Sequence, residues 1–449
     1  MTHSRTVELE GHIIDSGTMQ RCFGAVMDLG GSFDVERFDV GKHEDEESYC
    51  RMTVSADDAE TLRAILHELH QNGAVLESPT DVDLVAAPED RVVPPDFYST
   101  TNHPTEVLYD GEWTEVERIE MDCALVVEPD GGPNGEPRAH TKVLNAVEEG
   151  DLIATDQSGI RVRPPERPRS GGGAFGFMQG GVSAERPSES TIREVAAELR
   201  AVKRSGGTVM VVAGPAVIHS GAGDALADLV AAGFVDALSA GNGFATHDLE
   251  RSLYGTSLGM DVETLEHPRK GHKHHIWTIS EIIRAGGIEP AVEEGIVTEG
   301  VMYECVERDV DVVLAGSIRD DGPLPDTITD AVEAQNAIRE QAHEADIVIM
   351  LATLLHSVAV GNCLPSTTKT VCVDINPATV TQLLDRGSAQ AVGMVTDIGT
   401  FVPTLAEFVL EDGDDIETGN GGDIEAGNGG DVDAGNGDDI EAGSGGDEA

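Results

Sequence analysis

The alternation in the second half of the chain constrains its fold most. Short apolar runs, TVMVVAG (208–214), VDALSAG (235–241), DVVLAGS (311–317), DIVIML (346–351) and TVCVDI (370–375), recur along it. Segments of helical character lie between or after them, including GAGDALADLVAAG (221–233), residues 329–345 and PATVTQLLDRG (377–387). Runs that are apolar at nearly every position suit strands buried on both faces. The pattern therefore predicts a doubly wound, mostly parallel α/β sheet. A helix precedes it. Thr191 and Glu194 have capping-box spacing, Ile192, Val195, Leu199 and Val202 mark one face, and Gly206 and Gly207 stop it.

In such a sheet, ligands lie beyond the carboxyl ends of the strands. Asp374 ends one apolar run and is placed to accept hydrogen bonds from an adenosine ribose. After DIVIML, Thr353 and the amides of Leu354, Leu355 and His356 stand where a pyrophosphate or nicotinamide amide would be held. The stretch GNGFATHDLE (241–250) gathers Asn242, Thr246, His247 and Asp248 after a strand, and His-Asp there reads as a general acid–base pair. SIRDDGPLPDTITD (317–330) offers Asp320, Asp321 and Asp326 to a ligand ammonium or a ribose hydroxyl. The dinucleotide fingerprint GxGxxG is missing after the first strand. Gly221 and Gly223 could let a phosphate approach a helix N-terminus, and close packing explains them equally well.

GHKHHIWTI (271–279) is the one cationic, histidine-rich spot on the chain. His272, His274 and His275 lack the i, i+4 spacing of a helical metal-binding pair. Contact between a substrate carboxylate or phosphate and Lys273 or a histidine stays open beside a plain surface loop. The six cysteines contain no CxxC, so neither a disulfide framework nor a zinc site is signalled, and no metal is expected.

Residues 7 to 76 read β-α-β-β-α-β, the ferredoxin-like order, a module that can bind a small amino acid or form an interface. Strands and turns over 97–166 suggest a small β-domain, and RPPERPRSGGG (163–173) is a linker by composition. The expected units are residues 1–96, 97–170, the α/β unit 171–410 and a tail, 411–449. That tail repeats DIETGNGG-like octads and is expected to be disordered, although GNGGD also suggests a calcium-binding β-roll.

The net charge is −54, of which the 14 acidic residues from Glu411 onward carry only a part. The remaining −40 is spread over the body, which looks like adaptation to molar salt, where repulsion is screened within about 3 Å. With no basic patch, nucleic-acid binding is not expected. With no long apolar run and no secretory h-region, neither is a membrane, and the expected location is the cytoplasm.

Several motifs together resemble one family: GHIIDSG (11–17), FYSTTNHPTEV (97–107), FGFM (175–178), GNGFATHD, GTSLG (255–259), GHKHH, TLLH and VDIN. The chain is similar, over roughly residues 7–408, to the archaeal NAD-dependent ornithine cyclodeaminases. These carry an N-terminal lysine-oxoglutarate reductase/saccharopine dehydrogenase-like (LOR/SDH) domain and a deoxyhypusine-synthase-like NAD-binding domain. The resemblance implies NAD contacts at Asn242, Gly243, Asp321, Thr353, Leu354, Leu355, His356, Asp374, Asn376 and Asp397. It implies conversion of L-ornithine to L-proline and ammonia with NAD regenerated, and a homo-oligomer. His247, Asp248 and His274 are the candidates for proton transfer. Relatives tend to carry alanine where Gly243 stands. The arginine dihydrolase domain of the cyanobacterial bifunctional members is missing, so that activity is not expected. An oxidoreductase of saccharopine or opine type and a non-enzymatic amino-acid sensor remain as alternatives.

Overall fold

The computed structural model describes residues 3–14, 16–42, 46–133, 135–164, 189–261, 271–320, 322–386 and 391–411. FGFM, most of the linker, Asp321 and the acidic repeats from Asp412 lie outside these residues.

The first module contains β1 (His3–Gly11), α1 (Thr18–Asp28), β2 (Ser32–Asp39), β3 (Ser48–Ala56), α2 (Ala59–Gln71) and β4 (Val75–Leu76). Its sheet has the order β2-β3-β1-β4, with β1 antiparallel to both neighbours. Alternation drives the assembly. Val7 and Leu9 of β1 and Cys50, Met52 and Val54 of β3 turn inward onto Ile65 and Leu69 of α2, and all are buried. Helix α2 starts where Asp58 accepts the Thr61 amide at 2.8 Å. This is the ferredoxin-like arrangement that the β-α-β-β-α-β order predicts.

The second module is a seven-stranded sheet built from β5 (Asp83–Ala86), β6 (Thr105–Tyr109), β7 (Glu112–Glu117), β8 (Ala124–Glu128), β9 (Arg138–Lys142), β10 (Leu152–Thr155) and β11 (Ile160–Val162). Because β5 pairs with β10, residues 83–86 already belong to this sheet, ahead of the break expected at 96/97.

The third module begins with α3 (Glu189–Arg204). Thr191 is the third residue of that helix and buried, so it is not the N-cap expected from the spacing; the chain turns helical earlier. There follow β12 (Val209–Ala213), α4 (Ala216–His219), α5 (Gly223–Ala231), β13 (Ala237–Gly241), α6 (Asn242–Tyr254) and the hairpin β14 (Thr256–Ser257)–β15 (Met260–Asp261). Next come α7 (His274–Ala285), α8 (Ile288–Glu293), α9 (Val301–Glu307), β16 (Asp311–Ala315), β17 (Thr327–Ile328), α10 (Ala331–Glu344) and β18 (Ile347–Leu351). The module closes with α11 (Leu355–Cys363), β19 (Lys369–Asp374), α12 (Pro377–Arg386), β20 (Ala391–Val395) and α13 (Ile398–Glu411).

The sheet order is β17-β16-β13-β12-β18-β19-β20, and every pairing is parallel. Alternate residues serve opposite layers. Val209, Val211 and Ala213 of β12 join a core with α3, α5 and α13, whereas Met210 and Val212 join one with α10, α11 and α12. The β-module docks onto α10 through a buried ion pair, Arg339 Nε to Glu120 Oε2 at 2.6 Å. It also meets the turn before β19, where the Ser366 amide donates to the Asn102 carbonyl at 2.7 Å. Asn102 of the FYSTTNHPTEV motif therefore lies at a seam between modules. Among the described residues, no helix is long and apolar enough to cross a membrane.

Candidate active site

The chain runs outward from β12 through β13 to β16, then returns to β18 on the other side of β12. The strand order reverses between β12 and β18, and a crevice opens at such a point outside the carboxyl ends. Here the two backbones nearly touch. The Gly214 amide donates to the Leu351 carbonyl at 2.9 Å, and a methyl on Gly214 would lie 2.2 Å from the Ala352 carbonyl oxygen. Ala352 itself has φ +48°, which an L residue rarely adopts.

All candidate cofactor contacts among the described residues stand on this edge: Asn242 and Gly243 after β13, Thr353 to His356 after β18, Asp374 and Asn376 after β19, Asp397 after β20. Helices α6, α11 and α13 start within a few residues of these strand ends, so their unpaired first-turn amides converge on the crevice. The Asp374 carboxylate accepts the Asn376 amide through Oδ1 at 2.8 Å. Asn376 Oδ1 in turn accepts the Ala378 amide at 3.0 Å and starts α12. The His356 ring lies over Gly241, where a methyl would meet its Cε1 at 3.2 Å, and burial lowers its pKa. Apolar side chains line the same rim in the open: Leu355 is 80% exposed, Ile375 70% and Ile318 fully. That combination of an acidic strand end, helix N-termini and uncovered apolar rim suits a dinucleotide.

Three expected contacts have other work. Asn242 is buried, and its Oδ1 accepts the Leu324 amide at 2.9 Å and the Thr327 hydroxyl at 3.1 Å, tying the loop after β16 to α6. Asp326 accepts the Ile288 amide and starts α8, and Asp320 accepts the Ser317 amide at 2.7 Å. Asp321 lies outside the described residues.

After Gly241 the GNGFATHDLE stretch enters α6 directly, and this separates His247 from Asp248. Neighbours on a helix point about 100° apart. Asp248 faces α9, where it accepts the amides of Val301 at 3.1 Å and Met302 at 2.7 Å. It is 1% exposed, and desolvation lifts its pKa to about 6 in spite of those hydrogen bonds. Asp248 thus caps α9 and is not turned toward His247.

His247 faces the other way, into a cluster that sequence reasoning only half located. Its Nδ1 lies 3.0 Å from Glu250 Oε2, and its ring meets that of His219 edge-on at 4.7 Å. His219 Nδ1 is 2.6 Å from the Ser257 hydroxyl; burial, then the neighbouring His247, push its pKa down to about 4. Glu250 also accepts from the Thr256 hydroxyl (2.9 Å), the Gly259 amide (2.8 Å) and the Leu258 amide (3.1 Å). Burial alone would raise this carboxyl, but the hydrogen bonds, His247 foremost, hold it below its ordinary value. On its far side the Thr256 hydroxyl is 2.8 Å from His274 Nδ1. His274 stacks on Tyr254 (4.9 Å) and lies 5.6 Å from Trp277. So His247 reaches the buried Glu250 carboxylate directly, and His274 reaches it through the Thr256 hydroxyl. Leu258 (φ +53°) and Gly259 (φ +70°) form the two-residue turn of the β14–β15 hairpin, with both residues in the left-handed region.

Glu250 was missed. The signal available was its i, i+3 spacing from His247 on a helix, which places the two on one face. His275 lies beside His274 on α7, and no side-chain position is described for His272.

Residues 4–103 match the conserved region of LOR/SDH bifunctional enzymes. Residues 104–192 match the first C-terminal region of ArgZ-like arginine dihydrolases, and 193–405 match their C-terminal Rossmann fold. An ornithine cyclodeaminase of Methanothermobacter thermautotrophicus is 51% identical over 90% of this chain and 97% of its own length. Among solved structures, apo ArgZ, an arginine dihydrolase from the ornithine–ammonia cycle in cyanobacteria, superposes with a TM-score of 0.79 at 38% identity. The match covers 91% of this chain and 58% of ArgZ, so this chain spans little more than half of that protein. The ternary complex of AgrE with ornithine and NAD+ is 41% identical, with a TM-score of 0.50, over 92% of this chain and 58% of AgrE.

Proposed function

This chain belongs to the ornithine cyclodeaminase family, and from that premise we propose that it converts L-ornithine to L-proline and ammonia with NAD as a resident cofactor. One observation carries the reading. A single helix, α6, presents its first turn to the dinucleotide crevice and, one turn later, presents His247 to a cluster of imidazoles. Asp374 and Asn376 would hold the adenosine end, and the backbone from Thr353 to His356 with Gly243 and Asp397 the remainder. NAD, when bound, supplies a reversible hydride acceptor, so that the oxidation of the substrate is undone before product leaves.

The proton account follows from the substrate. The α-ammonium must lose a proton before Cα can be oxidised, and the δ-ammonium must lose one before its nitrogen can attack Cα. A bond forms between the δ-nitrogen and Cα, the bond from Cα to the α-nitrogen breaks, and ammonia departs. Both protons then return, one to the departing ammonia and one to the ring nitrogen. The protein must therefore store two protons and give two back. This reading assigns both tasks to His247 and His274.

The acidic body supports a protein suited to molar salt, and its location is read as cytoplasmic. The exposed Ile276 and Ile283 of α7 would suit a homo-oligomer. Incubation with L-ornithine and catalytic NAD in molar KCl should yield proline and ammonia without NADH build-up. Stoichiometric NADH with a keto acid would mark an amino-acid oxidoreductase instead. Binding without turnover would mark a sensor.

A further inference from the structure

The geometry points to Glu250 as the positioning residue that fixes both His247 and His274 as Nδ1–H imidazoles, leaving Nε2 of each as the proton acceptor. A carboxylate has about four lone-pair sites, and all four are taken: Oε1 by Thr256 and Gly259, Oε2 by His247 and Leu258. Its side chain is fully buried. Two of the donors are amides, which can only donate. His247 Nδ1 must therefore carry hydrogen, because a bare nitrogen at 3.0 Å would set lone pair against lone pair.

The Thr256 hydroxyl has one hydrogen and two neighbours. If it pointed at His274, the hydroxyl oxygen and Glu250 Oε1 would face each other at 2.9 Å as two acceptors in a dry place. The hydrogen goes to Glu250, so His274 Nδ1, at 2.8 Å from the hydroxyl, must be the donor. One carboxylate thus sets two tautomers, one directly and one through a hydroxyl. It also supplies the negative charge that a stored proton needs. The two stored protons demanded by the cyclodeaminase reading, on which this use of them rests, find two matched acceptors.

Among the described residues, the charged and titratable surroundings are few. His219 faces His247 from α4, and the Arg251–Asp224 pair links α6 to α5. Tyr254 stacks on His274, with Glu281 and Arg284 of α7 near its hydroxyl; Lys273 and His275 flank His274. Asp248 faces α9 instead. Glu250→Gln changes one charge among these. It also turns a donor toward at least one donor, whichever way the amide is flipped.

The test uses the full chain labelled with 15N-histidine. In the wild type, long-range 1H–15N correlations should show His247 and His274 with Nδ1 protonated and Nε2 bare when neutral. Thr256→Val should release His274 alone, and Thr256→Ser should restore it; Glu250→Gln should release both. With L-ornithine, Thr256→Val and Glu250→Gln should lose roughly 10²-fold in kcat, the low end of what general acid–base groups contribute, with NAD affinity unchanged. Glu250→Gln should also move the acid limb of the kcat–pH profile to lower pH, because the imidazolium loses its counter-charge. A purely structural Glu250 would leave that limb in place. Nε2–H tautomers in the wild type would overturn the assignment, as would natively folded variants with unaltered kcat and pH profile. If Glu250→Gln does not fold, Thr256→Val and Thr256→Ser decide. A wild type that does not turn over L-ornithine would sink the cyclodeaminase reading, whereas the tautomers would still be read directly.

Discussion

Replacing Asp248 with asparagine separates a structural carboxylate from a catalytic one. In the folded chain its pKa is lifted from 3.8 to about 6, mainly by desolvation, with the Val301 and Met302 amides pulling the other way. A group whose folded pKa lies above its unfolded value contributes stability that is full below the unfolded pKa. That contribution is lost as pH rises through the folded one. About two pKa units correspond to about 3 kcal/mol, present below pH ~4 and gone above pH ~6. The substituted amide would not titrate. It would also keep one acceptor for two amides, costing about 1–3 kcal/mol at any pH. The variant should therefore be least destabilised near pH ~7 and most destabilised near pH ~4, with the gap widening by up to about 3 kcal/mol. Urea unfolding of both proteins across that range, at one fixed high KCl concentration, measures the difference. A destabilisation independent of pH would refute the desolvated carboxyl. A stable Asp248→Asn variant without turnover would return Asp248 to the chemistry.

Two further substitutions probe the crevice. Asp374→Ala should weaken NAD binding by about 1–3 kcal/mol, roughly 5- to 150-fold, through loss of a charged acceptor, with little change in the unfolding midpoint; an unaltered titration curve would remove this carboxylate from the cofactor site. Gly214→Ala forces a methyl to within 2.2 Å of the Ala352 carbonyl oxygen, so the backbones must part by about 1 Å to reach ordinary contact. A cost of about 1–3 kcal/mol in stability and weaker NAD binding should follow, and a variant as stable and as avid as the parent would show that the switch point tolerates separation.

The parallel sheet was legible because strands buried on both faces announce themselves by composition alone. That Asp374 ends a strand was legible because a strand's carboxyl end is a local feature. What stayed hidden depended on contacts between distant segments. GNGFATHDLE gathers polar residues after a strand, yet the chain is helical there, and Asn242 spends its side chain on Leu324 and Thr327. Asp248 looked like the partner of His247 because adjacency in sequence imitates adjacency in space; on a helix it does the opposite. Glu250 could not be found from composition. Three of its four partners, Thr256, Leu258 and Gly259, reach it only because the hairpin folds back on α6. His274 was noticed for its company in GHKHH, but its link to His247 runs through Thr256, in another element.

If Asp374 meets the adenosine ribose as proposed, the half-engaged carboxylate at the end of β19 also sets which pool of cofactor the protein draws on. Asp374 spends one oxygen on the Asn376 amide. The other is left with a negative charge, and no cation stands among its next neighbours, Ile375, Asn376, Pro377 and Ala378. A ribose hydroxyl meets this as a donor. A 2′-phosphate would meet it as a second anion at a few ångströms, a repulsion of about 1 kcal/mol in water and about 4 kcal/mol near a protein surface. On that proposal the chain should pass over NADP. A catalyst that borrows a hydride and returns it draws no reducing power from the cell. Its demand on the unphosphorylated pool is one molecule per site, however much substrate passes through.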